Sequence, residues 1–152
     1  LNHTAKIVAD KILTVDETNV QLGEEFSVAG TVWDYNKSKP LGDVFEEKTM
    51  GFETYYIFSK PIGTYDKVAE FSDEASGRSL EVFSSEPSML MYTGFYTSDQ
   101  LQRESGAQFG QFRAFCCETS RYPNGPNISN APGSVLEVGS TYQSKTVFKL
   151  RW

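Results

Sequence analysis

Residues 115–127, FCCETSRYPNGPN, run from an apolar stretch into a carboxylate, Glu118, and then into a loop of Pro, Asn and Gly. A carboxylate at the end of a strand and the lip of a loop can move protons, because partial removal from water raises a carboxyl pKa toward neutrality. Strict alternation through FRAFCCE would put Phe112, Ala114, Cys116 and Glu118 on one face, with Glu118 among small apolar neighbours. The ordinary alternative is a strand-end charge that reaches solvent. A second carboxylate, Glu53 in GFETYYIF, opens an aromatic strand beside Tyr55 and Tyr56. Aromatic rings can stack on the C–H faces of a sugar while a carboxylate accepts its hydroxyl hydrogens. A solvated strand-start charge would leave the same pattern.

Other chemistries lack their residues. His3 is the only histidine, and it stands too close to the first residue to be a dependable partner for a Ser or Cys nucleophile. Cys116 and Cys117 are adjacent, which precludes an ordinary loop-closing disulfide and any zinc-type spacing, so both read as free, core-packed thiols with no metal site expected. There is no G-x-S-x-G elbow, phosphate loop or dinucleotide fingerprint, and no cofactor is expected. The net charge is −6 and no basic run occurs, so a nucleic acid is not an expected partner. No stretch approaches the roughly 20 apolar residues that cross a bilayer, so no membrane span is expected. Three Asn-x-Ser/Thr triplets, at Asn2, Asn36 and Asn127, lean toward a secreted glycoprotein. The chain opens on Leu1 with no initiator Met and no leader pattern, and is expected to be interior to a longer gene product.

The elements that must position these carboxylates read as strands. AKIVAD, KILTV, FSVAGTVWDY, TYYIF, KVAEF, SLEVF, MLMYT, FRAFCCE, SVLEV and KTVFKLR are separated by turn-forming residues at the spacing of an all-β sandwich. Leu80 and Val82 share one face of SLEVF, and Thr146, Phe148 and Leu150 one face of KTVFKLR. Trp33 and Tyr35 read as core rather than as a binding platform. The one helical candidate is TSDQLQRE, residues 97–104, with Ser98 or Asp99 as its N-cap. With no repeat or linker in view, residues 1–152 are expected to form a single all-β unit.

Five segments, in order and nearly end to end, give the chain a resemblance to the C-terminal half of the galactose mutarotase (aldose 1-epimerase) family. They are ADKILTVDETNVQLGE, GFETYYIF, SGRSLEVFSSEPSMLMYTG, FCCETSRYPNGPN and LEVGSTYQSKTVFKL. The resemblance implies a large antiparallel β-sandwich that interconverts the α and β anomers of an aldohexose such as galactose or glucose by opening and reclosing the ring. It implies that Glu118 is the general base, while the acid, a His, belongs to an N-terminal half preceding Leu1. It also implies that Glu53 contacts the sugar where the family has Asp, and that Leu90 stands where the family has Gln. Those two departures keep a second reading open, a mutarotase-like sandwich that binds sugars without turning them over. A glycoside hydrolase would need two carboxylates about 5–10 Å apart across a cleft.

Overall fold

The computed structural model describes residues 2–48 and 50–152. Alternating apolar and polar residues set most of its strands: β1 (Thr4–Ile7), β2 (Ala9–Val15), β3 (Gln21–Ser27), β4 (Lys39–Pro40), β5 (Glu53–Phe58), β6 (Asp66–Asp73), β7 (Arg78–Ser84), β8 (Ser88–Tyr92), β9 (Cys116–Ser120) and β10 (Thr146–Arg151). They pair antiparallel in two sheets, ordered β10-β7-β6-β1-β4 and β3-β2-β5-β8-β9, and the sheets pack as a sandwich. Val8 is the crossing point between them. Ile7, the last residue of β1, and Ala9, the first of β2, are both buried. The Ile7 amide donates to the Tyr35 carbonyl and the Val8 amide to the Val68 carbonyl, each at 2.9 Å, so backbone groups are satisfied where the chain leaves one sheet for the other.

The inner faces meet in a core that includes Phe52, Tyr56, Met89, Met91 and Cys117 from the second sheet and Ala5, Ile7, Ala69, Phe71 and Val82 from the first. Two of its tyrosines satisfy their hydroxyls locally: Tyr35 donates to the Pro40 carbonyl at 2.9 Å and Tyr56 to the Trp33 carbonyl at 3.1 Å. Tyr35 lies in the core and Trp33 packs at its margin, as their residue types suggested. Leu80 faces Leu150 and Val82 faces Phe148 across the β7–β10 pair, as alternation predicts. Yet Phe148 is 53% exposed and Leu150 62%, because β10 lies at a sheet edge on the same face as buried Val82 without equivalent cover. Among the described residues no helix is long and apolar enough to cross a membrane.

Several expected elements take other forms. Of FSVAGTVWDY only Phe26 and Ser27 belong to a strand. Gly30 adopts φ +73°, and both the amide and the hydroxyl of Thr31 donate back to the Val28 carbonyl, so the segment turns. Its apolar side chains reach the core from turns. SVLEV, residues 134–138, pairs with nothing and is largely exposed. Residues 97–104 are a loop closed by a bridge between Gln102 and Gln108. The side chains expected to cap a helix there bind backbone instead: Ser98 Oγ accepts from the Gln100 amide and Asp99 Oδ1 from the Gln111 amide. The one α-helical turn is α1 (Asp43–Glu47), after Gly42.

FRAFCCE is strand only from Cys116 onward. Phe112 has φ +57°, which breaks the alternation, so Phe112 and Ala114 do not share a strand face with Glu118. Within β9 the two thiols alternate as neighbours in a strand must, Cys116 exposed and Cys117 buried, and both are free. Burial pushes the Cys117 thiol up to about 12, with smaller contributions from Cys116 and the Glu118 charge; Cys116 is raised for the first and last of these reasons.

Met89 is fully buried, so Met89→Ala should lower unfolding free energy by about 2–5 kcal/mol in urea denaturation, whereas Val135→Ala, at a position 66% exposed, should change it by less than about 0.5 kcal/mol. A Met89 loss no larger than that of Val135 would place Met89 outside the core. Alkylation followed by mass spectrometry should label Cys116 in the folded protein, faster as pH rises toward its elevated pKa. Cys117 should be labelled only in denaturant. Equal labelling of both thiols in the native protein would contradict the alternation.

Candidate functional site

The site is built on the three strands β5, β8 and β9. Their register sets two rows on the face turned away from the core: Glu53, Tyr92 and Cys116 in one, Tyr55, Leu90 and Glu118 in the next. The residues between these rows, Thr54, Met91 and Cys117, point inward and are buried. A face that carries two carboxylates and two phenols is therefore held in place by the apolar residues on its underside. Glu53 and Glu118 stand two strands and two residues apart, about 12 Å between Cα atoms from strand spacing and rise.

Backbone features just before Glu53 fix its place. Gly51 has φ +65°, and a Cβ there would collide with the Phe45 ring and the Thr93 hydroxyl. This close approach lets the Phe52 amide donate to Thr93 Oγ at 2.9 Å and the Thr93 amide donate to the Phe52 carbonyl at 3.0 Å. The β5–β8 pair is thus clamped one residue beyond the Glu53–Tyr92 row. Glu53 is half-buried and lines a cleft of about 310 Å³ with Asn19, Trp33, Lys48 and Thr54 among others.

Glu118 is exposed. Of the neighbours that alternation predicted for it only Cys116 shares its face, because Phe112 lies in a turn and Ala114 precedes the strand. Neither carboxylate has a hydrogen-bond or ion-pair partner among the described residues. Both charges do reach Tyr55: burial raises that phenol's pKa, and the charges of Glu118 and then Glu53 raise it further. The other phenol of the face, Tyr92, is engaged, its oxygen accepting from the Tyr96 amide at 2.8 Å.

The loop after Glu118 is fastened across the sheet to β3. Tyr122 is buried and donates to Glu25 Oε1 at 3.1 Å, and Glu25 also pairs with Lys11 at 2.7 Å. Asn124 Nδ2 donates to the Gln21 carbonyl at 2.9 Å, and Ile128 lies against Gly23 where no Cβ intervenes. No local pattern in the sequence marks Tyr122 and Asn124 as the anchors of this loop, since their partners lie about 100 residues away.

His3 lies away from the carboxylates, in the first sheet's part of the chain. It packs edge-on to Phe115 at 6.3 Å and borders a cleft of about 780 Å³. That cleft is lined by Phe71, Leu80, Phe115, Leu150 and Trp152 and contains neither Glu53 nor Glu118. It is the uncovered flank of the core beside β10, so its volume is not evidence of a sugar site. Among the described residues no cluster of His, Cys, Asp or Glu could hold a metal ion. The Asn36 and Asn127 side-chain amides of two glycosylation triplets both donate within the chain, to the Ala9 carbonyl and to Asn124 Oδ1.

Comparison with known proteins identifies the fold and the family. The aldose 1-epimerase family model matches residues 1–149. A galactose mutarotase from Bos taurus is 34% identical over 151 residues, and one from Homo sapiens 33%; each alignment covers 97% of this chain and 43% of the relative. An aldose 1-epimerase from Escherichia coli is 26% identical over 97% of the chain. Among solved structures, an aldose epimerase homologue from C. elegans superposes with a TM-score of 0.82 at 22% identity, over 99% of this chain and 46% of its own. A galactose 1-epimerase from Lactobacillus acidophilus superposes at 0.69 and 21% identity, over 99% and 44%. The chain thus spans less than half the length of the relatives it matches, corresponding to their C-terminal portion. On these alignments the chain belongs to the aldose 1-epimerase family, and the solved structures share its fold.

Proposed function

We propose that this chain is the C-terminal part of an aldose 1-epimerase and that Glu118 is its general base. The supporting observation is the pair of carboxylates, Glu53 and Glu118, on the outer face of β5-β8-β9 in a chain of this family, each without a partner among the described residues. An ionised carboxylate only accepts hydrogen bonds, and an unpartnered one is free to accept from a sugar hydroxyl. In the reaction, Glu118 takes the proton of the anomeric hydroxyl. As C1=O forms, the C1–O5 bond breaks and O5 takes a proton from an acid on the opposite side of the ring. Rotation about C1–C2 and the reverse steps then give the other anomer. Glu53 accepts hydroxyl hydrogens at the far end of the ring and holds it in register with Glu118.

The acid comes from the N-terminal half, which covers the face bearing Glu118. Covering it would expel water and strengthen each polar contact to the sugar. The same half would shelter Phe148, Leu150 and Trp152, which are 53%, 62% and 91% exposed. An aldohexose is the proposed substrate, with galactose and glucose the first to test.

A second reading is a sugar-binding protein without turnover. Two observations favour it: Leu90 places an apolar side chain between Tyr55 and Glu118, and the Glu118 side chain is exposed in this chain.

In the full-length protein, Glu118→Gln should slow anomer interconversion of galactose or glucose, followed by polarimetry, by a hundredfold or more while leaving sugar binding within about threefold. Unchanged rates in that variant would remove Glu118 from the role of base. Sugar binding in calorimetry with wild-type interconversion no faster than buffer would instead establish the second reading. The isolated 152-residue chain should self-associate through its uncovered apolar flank. A sharp monomer peak in sizing chromatography would show that the flank needs no cover.

A further inference from the structure

The outer face of β5-β8-β9 carries two phenols, Tyr55 and Tyr92, that the proposed reaction does not use, and Tyr55 is the one in the row of Glu118. Tyr55 follows Glu53 by two residues on β5 and shares the next row with Leu90 and Glu118. It therefore stands at the corner joining the two carboxylates, about 7 Å along the strand from Glu53 and about 10 Å across two strands from Glu118, Cα to Cα. A tyrosine side chain is long enough to carry its hydroxyl over the space between them. Its ring is half-buried, yet its hydroxyl has no hydrogen-bond partner among the described residues.

That vacancy distinguishes it from the other tyrosines packed into this part of the protein. Tyr35, Tyr56 and Tyr122 donate to protein acceptors, and Tyr92 accepts from a backbone amide. The Tyr55 oxygen is not one of the buried side-chain atoms left without a partner among the described residues, so it reaches solvent and is open to a ligand. The other side chains of its row cannot supply a donor to a sugar: Leu90 is apolar and Glu118, when ionised, only accepts. The two carboxylates can hold a sugar by its hydroxyl hydrogens, but neither can hold it by an oxygen lone pair. Tyr55 is the neutral donor in the row of Glu118, and neither its oxygen nor its hydrogen is bonded among the described residues, whereas the Tyr92 oxygen, one row away, already accepts from the Tyr96 amide.

We infer that Tyr55 is a specificity residue of the site, its hydroxyl donating to one sugar oxygen between the groups held by Glu53 and Glu118. This rests on the aldose 1-epimerase reading and names a contact that reading does not contain. The inference assigns Leu90 a role as well. With a donor already present on the neighbouring strand, an apolar side chain there can lie under a C–H face of the ring, and the sugar is recognised by one donor and two acceptors. The shift of the Tyr55 phenol by burial and by both carboxylates is consistent with a hydroxyl that stays protonated, and so able to donate, across the neutral range.

The test uses the full-length protein and Tyr55→Phe, which removes only the hydroxyl and keeps the ring. D-Galactose, D-glucose and the monodeoxy derivatives of the better substrate serve as probes, with rates by polarimetry, binding by calorimetry and Tm as a check on folding. Tyr55→Phe should raise KM and Kd about 3–10-fold, with kcat within about threefold and Tm unchanged. The wild type should bind one monodeoxy sugar less well by a similar factor, and Tyr55→Phe should lose discrimination at that position alone. Wild-type constants for Tyr55→Phe, or the same discrimination across the whole deoxy series in both proteins, would overturn the inference while leaving the role of Glu118 standing. Weaker binding with a lowered Tm and no change in discrimination would mean that the hydroxyl serves the fold, and would also overturn it. A wild-type protein that neither interconverts nor binds any of these sugars would sink this inference and the epimerase reading together.

Discussion

The register of β5, β8 and β9 is the constraint on which the rest depends. Along these strands the side chains alternate, so one choice of pairing decides both what is buried and what is presented. With Tyr56 beside Met89, Thr54 beside Met91 and Met91 beside Cys117, the apolar set faces the other sheet. The same pairing puts Glu53, Tyr55, Leu90 and Glu118 on the opposite face. A slip of one residue would carry Met89 and Met91 into water and Glu118 into the core, a loss on both counts. Core packing and site chemistry are therefore not separate properties of these strands. The methionines hold the carboxylates in place.

This arrangement leaves a face that is polar in a particular way. It carries acceptors at two corners, a phenol at a third and an apolar side chain between, with no cation among the described residues bonded to either carboxylate. Unpaired carboxylates are unremarkable on a surface, where water satisfies them. Covered by another layer of protein they would need a partner, and a sugar's hydroxyls supply hydrogen bonds without adding charge. The flank beside β10 is different in kind. It exposes residues that share a face with buried ones, so it is the continuation of the core rather than a binding surface for a polar ligand. The 780 Å³ cleft belongs to that flank, and the carboxylates stand elsewhere, because cleft volume follows missing apolar cover while the chemistry follows the register.

The loop beyond Glu118 shows how an irregular segment is made definite. It has few regular backbone bonds of its own, and it is held by side chains that reach β3: Tyr122 to Glu25 and Asn124 to the Gln21 carbonyl. The Lys11–Glu25 pair beside it is exposed and of small energetic weight. Burial of Tyr122 and Ile128 contributes more. Through these contacts the strand that carries Glu118 is tied to the opposite edge of its own sheet, which limits how far its end can move.

The sequence by itself determined the elements whose signal is local. KTVFKLR and SLEVF alternate within themselves, and TYYIF and MLMYT are apolar runs of strand length, so all four could be read as strands. The residue types at the site, Glu53 and Glu118, were legible for the same reason, and the motifs around them carried the family. The tertiary structure decided what depends on a neighbour. FSVAGTVWDY and SVLEV have strand-like composition, but an extended segment becomes a strand only when another strand offers its hydrogen bonds, and none does here. The expected apolar setting of Glu118 failed because Phe112 takes a left-handed conformation and breaks the alternation before β9 begins. That Tyr55, Leu90 and Glu118 form one row follows from pairing between residues 35 and 28 positions apart, and no local pattern in the chain encodes a cross-strand register.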